Sequence, residues 1–326
     1  MRFIYSGSNN PYYNLATEEY FLKYSEEEIF FLYINKPCIV VGKHQNLLSE
    51  INLPFIIENN IILARRITGG GTVFQDFNNL NFCYLHNCAN IEQINYKKFT
   101  NPILESLREI GLNVEFSDRN DLIIDTKKIS GNAMHIFKTR VLSHGTLLYD
   151  TNLDQLSAAL KNNSQKYIDK SIKSVRSKVA NISEYLCHPV SMNEFSLLIF
   201  QKIFGKSVNA LLQPITDPEN ESINQILKQK FETWEWIFGY SPKYIFKNSF
   251  PLSNQIIKFQ MLVEKGVIRK IDSNIDQIDN VLYHHAFDVL INTKHDYGQI
   301  TELFSNDSVI KQHSNFNVTE FCEKFF

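Results

Sequence analysis

The chain is short of several things, and each shortage narrows what it can be. Only five of its 326 residues are cysteine (Cys38, Cys83, Cys88, Cys187 and Cys322), an odd number without framework spacing. They read as free thiols of a reducing compartment, which excludes a disulfide scaffold. No apolar run approaches the ~20 residues that a bilayer span needs. The longest, such as Cys38-Ile39-Val40-Val41 and Ile61-Ile62-Leu63-Ala64, are strand-sized. Net charge is nearly absent: 33 basic side chains against 35 acidic ones give −2, so there is no global attraction to nucleic acid. Met1 to Ser6 reads as a first strand, with neither a signal-peptide core nor a basic transit segment. The expectation is a cytoplasmic protein that binds no nucleic acid and spans no membrane. Glycine is scarce as well, 12 in all, so a glycine cluster means more here than in a glycine-rich chain.

What is present is ordinary for a globular protein: 44% hydrophobic and 21% charged residues, with 25 Phe and 15 Tyr. The length suits about two domains. Pro11 to Tyr24 predicts a helix capped by Asn10. Glu28 to Ile34 and Cys38 to Val41 predict buried strands, and Ile61 to Arg65, Thr72 to Phe74 and Leu80 to Leu85 continue the sheet. Tyr96 to Ile110 has an apolar helical face stopped by Gly111. Further strands are expected at Val114–Phe116, Leu122–Asp125, Lys128–Phe137 and Val141–Tyr149, and helices at Leu153–Leu160 and Ser222–Trp234. The polar stretch from Lys161 to Lys178 reads as a mobile or ligand-ordered loop. Composition shifts near Tyr240-Ser241-Pro242. Beyond it, two strand-like runs joined by Lys265-Gly266 form a hairpin signal, and a helix from Asn280 to Ile291 follows. The fold class is therefore α+β: a large N-terminal domain (1–240) of mixed sheets packed by helices, and a small α+β C-terminal domain (241–326).

The most unusual stretch is Arg65-Arg66-Ile67-Thr68-Gly69-Gly70-Gly71-Thr72-Val73-Phe74-Gln75-Asp76. Three successive glycines between strands let the backbone approach a ligand and point several N–H groups into one concavity. The two arginines before them supply fork-shaped donors for phosphate or carboxylate. The alternative is a tight strand connection with solvated arginines. A Walker loop and a dinucleotide fingerprint are both excluded by the spacing. In Lys127-Lys128-Ile129-Ser130-Gly131-Asn132-Ala133, small residues leave room against a sheet, and Lys128 could meet two oxyanions there or stand beside a bulge. His144 in Ser143-His144-Gly145-Thr146 is either at a binding edge or a satisfied core histidine. Asp118-Arg119-Asn120-Asp121 is a charged turn that could also hold Mg²⁺.

Taken together, these elements make the chain resemble the lipoate–protein ligases, of the superfamily of biotin–protein ligase and octanoyltransferase. The matching stretches are Tyr13 to Glu19, Val40 to Asn46, Arg65 to Asp76, Arg119-Asn120-Asp121, Lys128 to Ala133, His144 to Leu148, and Ser174 to Val179. Three positions depart from the family pattern. Gln75 stands where His is usual, Ser143 replaces the first of a His-His pair, and Asn78 replaces a usual Gly.

The resemblance implies a biotin/lipoate-ligase-like fold and a two-step reaction. Lipoate attacks the α-phosphate of ATP to give lipoyl-AMP, and a lysine of an acceptor then takes the lipoyl group. Lys128 would be the catalytic cation between carboxylate and phosphate. Arg66, Gly71, Thr72, Val73, Phe74, Asn120 and Asp121 would bind ATP or lipoyl-AMP together with Lys128, with Asp121 holding Mg²⁺. Leu15, Val41, Gly70, Ala133, His144 and Gly145 would line the lipoate groove beside Lys128. The acceptors implied are apo lipoyl domains of 2-oxoacid dehydrogenase complexes and the glycine cleavage H protein, and the ligase itself would be a monomer. Two rivals remain at this point. One is an octanoyl or lipoyl transferase on the same fold, working through a cysteine thioester; the other is a metal- or small-molecule-binding module using Cys83, His86 and Cys88 or His284-His285.

Overall fold

The computed structural model of the chain describes residues 1–88, 95–161, 164–205, 212–252, 255–275, 281–313 and 316–326. Strand β1 (Arg2–Tyr5) leads through helix α1 (Pro11–Tyr24) into β2 (Ile29–Ile34) and β3 (Cys38–Val41). The start of α1 is set chemically: Asn10 Oδ1 accepts from Tyr12 N at 3.0 Å and Pro11 fills the first turn. Helix α2 (Leu53–Glu58), β4 (Ile62–Arg65), β5 (Val73–Gln75) and β6 (Asn79–Asn87) follow. Then come α3 (Tyr96–Glu109), β7 (Glu115–Phe116), β8 (Leu122–Ile124), β9 (Lys127–Ser130), β10 (Asn132–Phe137) and β11 (Arg140–Leu148).

Strands β1, β2, β6, β11 and β10 form one sheet in that order, with only the β1–β2 pair parallel. Its central strand pair explains the unbroken apolar run of β2. Phe30 and Leu32 pack with Ile103 and Leu107 of α3 on one face, while Phe31 and Tyr33 pack with Leu15 and Phe21 of α1 on the other. Strands β4, β3 and β5 make a second sheet, and β7, β8 and β9 a third. Alternation along β3 has a consequence for the site. Cys38 and Val40 face the core shared with α1, whereas Ile39 and Val41 face the opposite core.

After α4 (Leu153–Ala159), β12 (Tyr167–Asp169), α5 (Met192–Phe204) and α6 (Asp217–Ile226), the last third holds β13 (Tyr244–Leu252), β14 (Gln255–Glu264) and β15 (Val267–Ser273). The hairpin signal is confirmed. Lys265 and Gly266 adopt φ of 51° and 72°, the geometry a two-residue hairpin turn requires. Helices α7 (Val281–Val289), α8 (Tyr297–Asn306), α9 (Ser308–Lys311) and α10 (Val318–Cys322) cover this sheet. Its core is continuous with Ile39, Val41 and Phe74 of the second sheet.

Several element expectations change. The strand expected over Lys128–Phe137 breaks at Gly131: β9 pairs with β8, β10 with β11, so the two halves belong to different sheets. The stretch from Lys161 to Lys178 is not one open loop, because β12 pairs with β13 and buries Tyr167; residues 162–163 lie outside the described residues. The helix expected at Ser222 begins at Asp217, and its second half, Leu227–Phe231, widens into π-helical turns. Asn280, expected to start the last-third helix, lies outside the described residues.

Candidate active site

The glycine run, β9 and the face of the five-stranded sheet enclose a cavity of about 330 Å³. A wider one of about 840 Å³ adjoins it. Thr72, Val73, Lys128, Gly131, Thr146 and Ser174 line both, so the two communicate at the lysine.

Lys128 is held by its backbone. Its N–H donates to Lys178 O at 2.8 Å and its carbonyl accepts from Ala180 N at 3.1 Å. Its ammonium meets Asp121 Oδ1 at 3.0 Å, half-buried at the cavity wall. A Cβ on Gly131 would stand 3.0 Å from Lys128 Nζ, so glycine at that position gives the lysine its path. Lys127 is exposed and lines the wider cavity only.

The two arginines take different posts. Arg65 is fully buried and its fork is spent on neutral acceptors: the carbonyls of Gly42, Lys43, Gln45, Trp236 and Ile237, and Ser241 Oγ. Arg66 lies behind the glycine run. It donates to Val40 O at 3.0 Å, Gly69 O at 2.6 Å, Gly71 O at 2.7 Å and Thr68 Oγ1 at 2.9 Å. Burial lowers both guanidinium pKa values to about 10, so both stay charged at neutral pH. Arg66 therefore lines the cavity as a brace that sets the loop's shape, with most of its donors engaged by that loop. Gly70, at φ 91°, supplies the left-handed turn of that loop.

A buried polar chain runs behind one end of the cavity. Thr68 Oγ1 meets His144 Nε2 at 2.8 Å, His144 Nδ1 meets the Glu18 carboxylate at 2.8 Å, and Tyr33 donates to Glu18 Oε1 at 3.0 Å. A nitrogen facing a carboxylate carries the proton, which leaves Nε2 to accept from the threonine when the ring is neutral. On the other side, Ser174 closes over the glycine run. Its Oγ accepts from Thr72 N at 2.9 Å and from Gln45 Nε2 at 3.1 Å, and its own N–H points at Glu50. Burial raises the Glu50 carboxyl, which lines the wider cavity.

Of the expected residues, Leu15, Gly70, Gly71, Thr72, Val73, Asp121, Ala133, His144 and Gly145 all line the first cavity. Three do not. Val41 points into the opposite core by strand alternation, and Val40 takes its place. Phe74, one residue off Val73, is buried toward the wider cavity. Asn120 turns away with φ 62°, its carbonyl accepting from Asn132 Nδ2 at 2.9 Å. Glu18, Gln45, Ser174 and Asn81 escaped sequence reasoning as site residues. The first three lie inside motifs matched to the family, and Asn81 in the Asn79-Leu80-Asn81 run beside the Asn78 departure, which was the available signal.

The chemistry of a thioester nucleophile is missing from the walls. No cysteine lines either cavity among the described residues, and Cys83 is fully buried with its thiol pushed well above its usual range by burial. Likewise, no three His, Cys, Asp or Glu side chains converge among the described residues.

The family model for the lipoyl protein ligase A/B catalytic domain matches residues 10–204. The chain belongs to this family. It is 37% identical over 316 residues to the lipoate-protein ligase LplJ of Bacillus subtilis, covering 90% of this chain and 95% of that protein. Among solved structures, a lipoate-protein ligase A bound with ATP superposes with a TM-score of 0.62 at 26% identity over 73% of this chain and 98% of the other. A putative lipoate protein ligase from T. acidophilum with bound lipoic acid gives 0.61 at 26%, again over 73% and 98%. The mixed α+β fold of this lipoyl ligase thus matches those structures. No helix among the described residues is long and apolar enough to cross a membrane.

Proposed function

We propose that the chain is a lipoate–protein ligase that activates lipoate with ATP and passes the lipoyl group to a lysine of apo lipoyl domains. The observation that carries this is Lys128, a half-buried cation where two cavities meet, one for each partner of the first step. Lipoate and the α-phosphate repel, and an ammonium between them offsets that repulsion as charge moves to pyrophosphate. The narrower cavity, walled by Leu15, Val40, Gly70 and Ala133, takes the apolar acyl chain; the wider one, floored by Phe74, Leu148 and Leu156, takes the nucleotide. Binding the two ends in fixed places removes much of the entropic barrier.

Mg²⁺ enters as part of the substrate. Asp121 is the single carboxylate lining the narrower cavity among the described residues, and one carboxylate plus phosphate oxygens is a usual Mg²⁺ set. The ion would balance charge on the departing pyrophosphate, releasing Lys128 from Asp121 for the reacting oxygens. The proposed acceptors are lipoyl domains of 2-oxoacid dehydrogenase complexes and the glycine cleavage H protein. The ligase is proposed to act in the cytoplasm as a monomer, with residues 241–326 as an accessory domain. Incubation with ATP, lipoate and an apo lipoyl domain, read by intact mass of the acceptor, tests the whole reading. A lipoyl-sized gain that needs ATP is expected, and an unmodified acceptor overturns it. Modification without ATP would restore the transferase.

A further inference from the structure

One polar group at the cavity has no partner. Gln75 ends β5, is only 4% exposed and lines the narrower cavity. Its Oε1 accepts from Asn35 Nδ2 at 2.7 Å. The Asn35 amide is itself fixed, since its Oδ1 accepts from Asn14 Nδ2 at 2.7 Å, and Asn14 Oδ1 accepts from Ser6 Oγ at 2.6 Å. This chain of amides dictates which way round Gln75 sits. Its NH2 group faces the cavity, and Nε2 has no hydrogen-bond partner among the described residues. The amides behind Gln75 thus hold a donor in one orientation, open to the cavity. That asks what acceptor completes it.

The sheet register locates the missing acceptor. Tyr33 pairs with Asn81, and Asn81 with Thr146. Thr146 N donates to Gly131 O, and Gly131 lies against Lys128 Nζ. These residues form one row across the floor, with Lys128 at its far end. His144 lies on the next row, opposite Cys83. Gln75 reaches Asn35, just beyond Ile34, which pairs with Leu80. It therefore stands at the end of the cavity marked by Asn81 and Thr146, away from His144. On the ligase reading, an acyl carbonyl reached by Lys128 would lie along this row, and the apolar tail would run toward His144.

We infer that Gln75 Nε2 donates to the acyl carbonyl oxygen of the bound lipoyl adenylate, and that with Lys128 it forms the oxyanion site of the transfer step. This rests on the ligase reading above. In that step the acceptor's neutral amine forms a C–N bond to the acyl carbon, and the carbonyl oxygen takes up the displaced electron pair. The pair then returns, the C–O bond to phosphate breaks, and AMP leaves with the proton shed by the amine. Negative charge on that oxygen exists only between the two bond changes, so a fixed neutral donor aimed there stabilises the transition state more than the ground state. In the first step the same carboxyl group loses charge, and the donor contributes less.

The two steps can be read apart. Transfer is measured in a single turnover, from synthetic lipoyl-AMP to an apo lipoyl domain. Activation is measured as lipoate-dependent ATP–pyrophosphate exchange. Gln75→Met removes the donor, and Gln75→Glu removes it while keeping an acceptor for Asn35, which guards the fold if the first variant fails to form. Transfer is expected to fall at least ~10²-fold in both, the loss typical of one oxyanion donor. Exchange in Gln75→Met should fall far less, and the KM for the acceptor should not move. Transfer at the wild-type rate overturns the inference, and so does an equal fall in both steps, which would make Gln75 a wall of the acyl cavity. Should the wild-type protein itself fail to transfer from lipoyl-AMP, the ligase reading fails instead.

Discussion

Two ends of the molecule bury different chemistry. Around the cavity the interior holds Asn14, Glu18, Asn35, Gln45, Arg65 and Arg66, while from Tyr244 onward His295 is the one buried polar or charged side chain among the described residues. The far core is instead built of phenylalanine, with Phe250 meeting Phe259 and Phe321, and Phe321 meeting Phe325, edge to face. Rings pack tightly and tolerate no water, but they recognise nothing polar. Buried amides and charges lower stability unless each finds a partner, and in return they fix donors and acceptors in space. The molecule concentrates that expense where a ligand must be oriented and omits it where only cohesion is needed.

The sharpest way to break this contrast is to make the cavity end apolar. Arg65→Leu takes the guanidinium donors from Gln45 O, Trp236 O and Ile237 O, and loss of about 3–5 kcal/mol is expected, because these carbonyls are buried around it. Urea unfolding measures it; a change below ~1 kcal/mol would mean that water replaces the guanidinium.

Next in size is Lys128→Ala, expected to cut exchange by ~10²–10³ with the fold retained. Lys127→Ala, at the exposed rim of the wider cavity, is the comparison, and its loss should be much smaller. Loss of exchange in the Lys127 variant alone would reverse the assignment.

The smallest effect comes from the far core, at its lone histidine. His295 receives Tyr244 Oη at Nδ1 (2.6 Å) and offers Nε2–H to Phe325 O (2.6 Å), both neutral partners. Burial brings its pKa down to about 4 from 6.5. The unfolded chain takes a proton below pH 6.5 that the fold refuses. Stability from this group is thus complete above pH 6.5 and lost as pH falls toward 4, by up to about 3 kcal/mol. His295→Gln should flatten that part of the pH–stability curve measured by urea melts; an unchanged slope assigns the acid sensitivity elsewhere.

The same contrast explains what could be read from sequence. Periodicity and caps announce elements that bury one kind of face, so α1, β2 and the β14–β15 hairpin were legible. The glycine run, Lys128 and His144 were legible because their residue types are rare in that order. Illegible were features decided by a partner distant in sequence. Val41 and Val40 are alike as residues, and only the packing of β3 between two cores decides which one meets the ligand. That Arg66 also braces the glycine run, through the carbonyls of Val40, Gly69 and Gly71, is not visible in its own motif. Gln75 stood out as a departure, but its orientation depends on Asn35, which no local pattern marks.

The pairing of β12 with β13 also has a consequence in time. Tyr167 is synthesised long before Phe246, its partner across the ladder, and contacts so distant along the chain form late. Ser174, which caps the glycine run, follows β12 by only a few residues. On the ribosome the sheets on either side of the glycine run can be complete while β12, just ahead of the segment that covers it, still lacks its partner strand. The finished cavity thus waits on a strand that emerges well after all of its own lining.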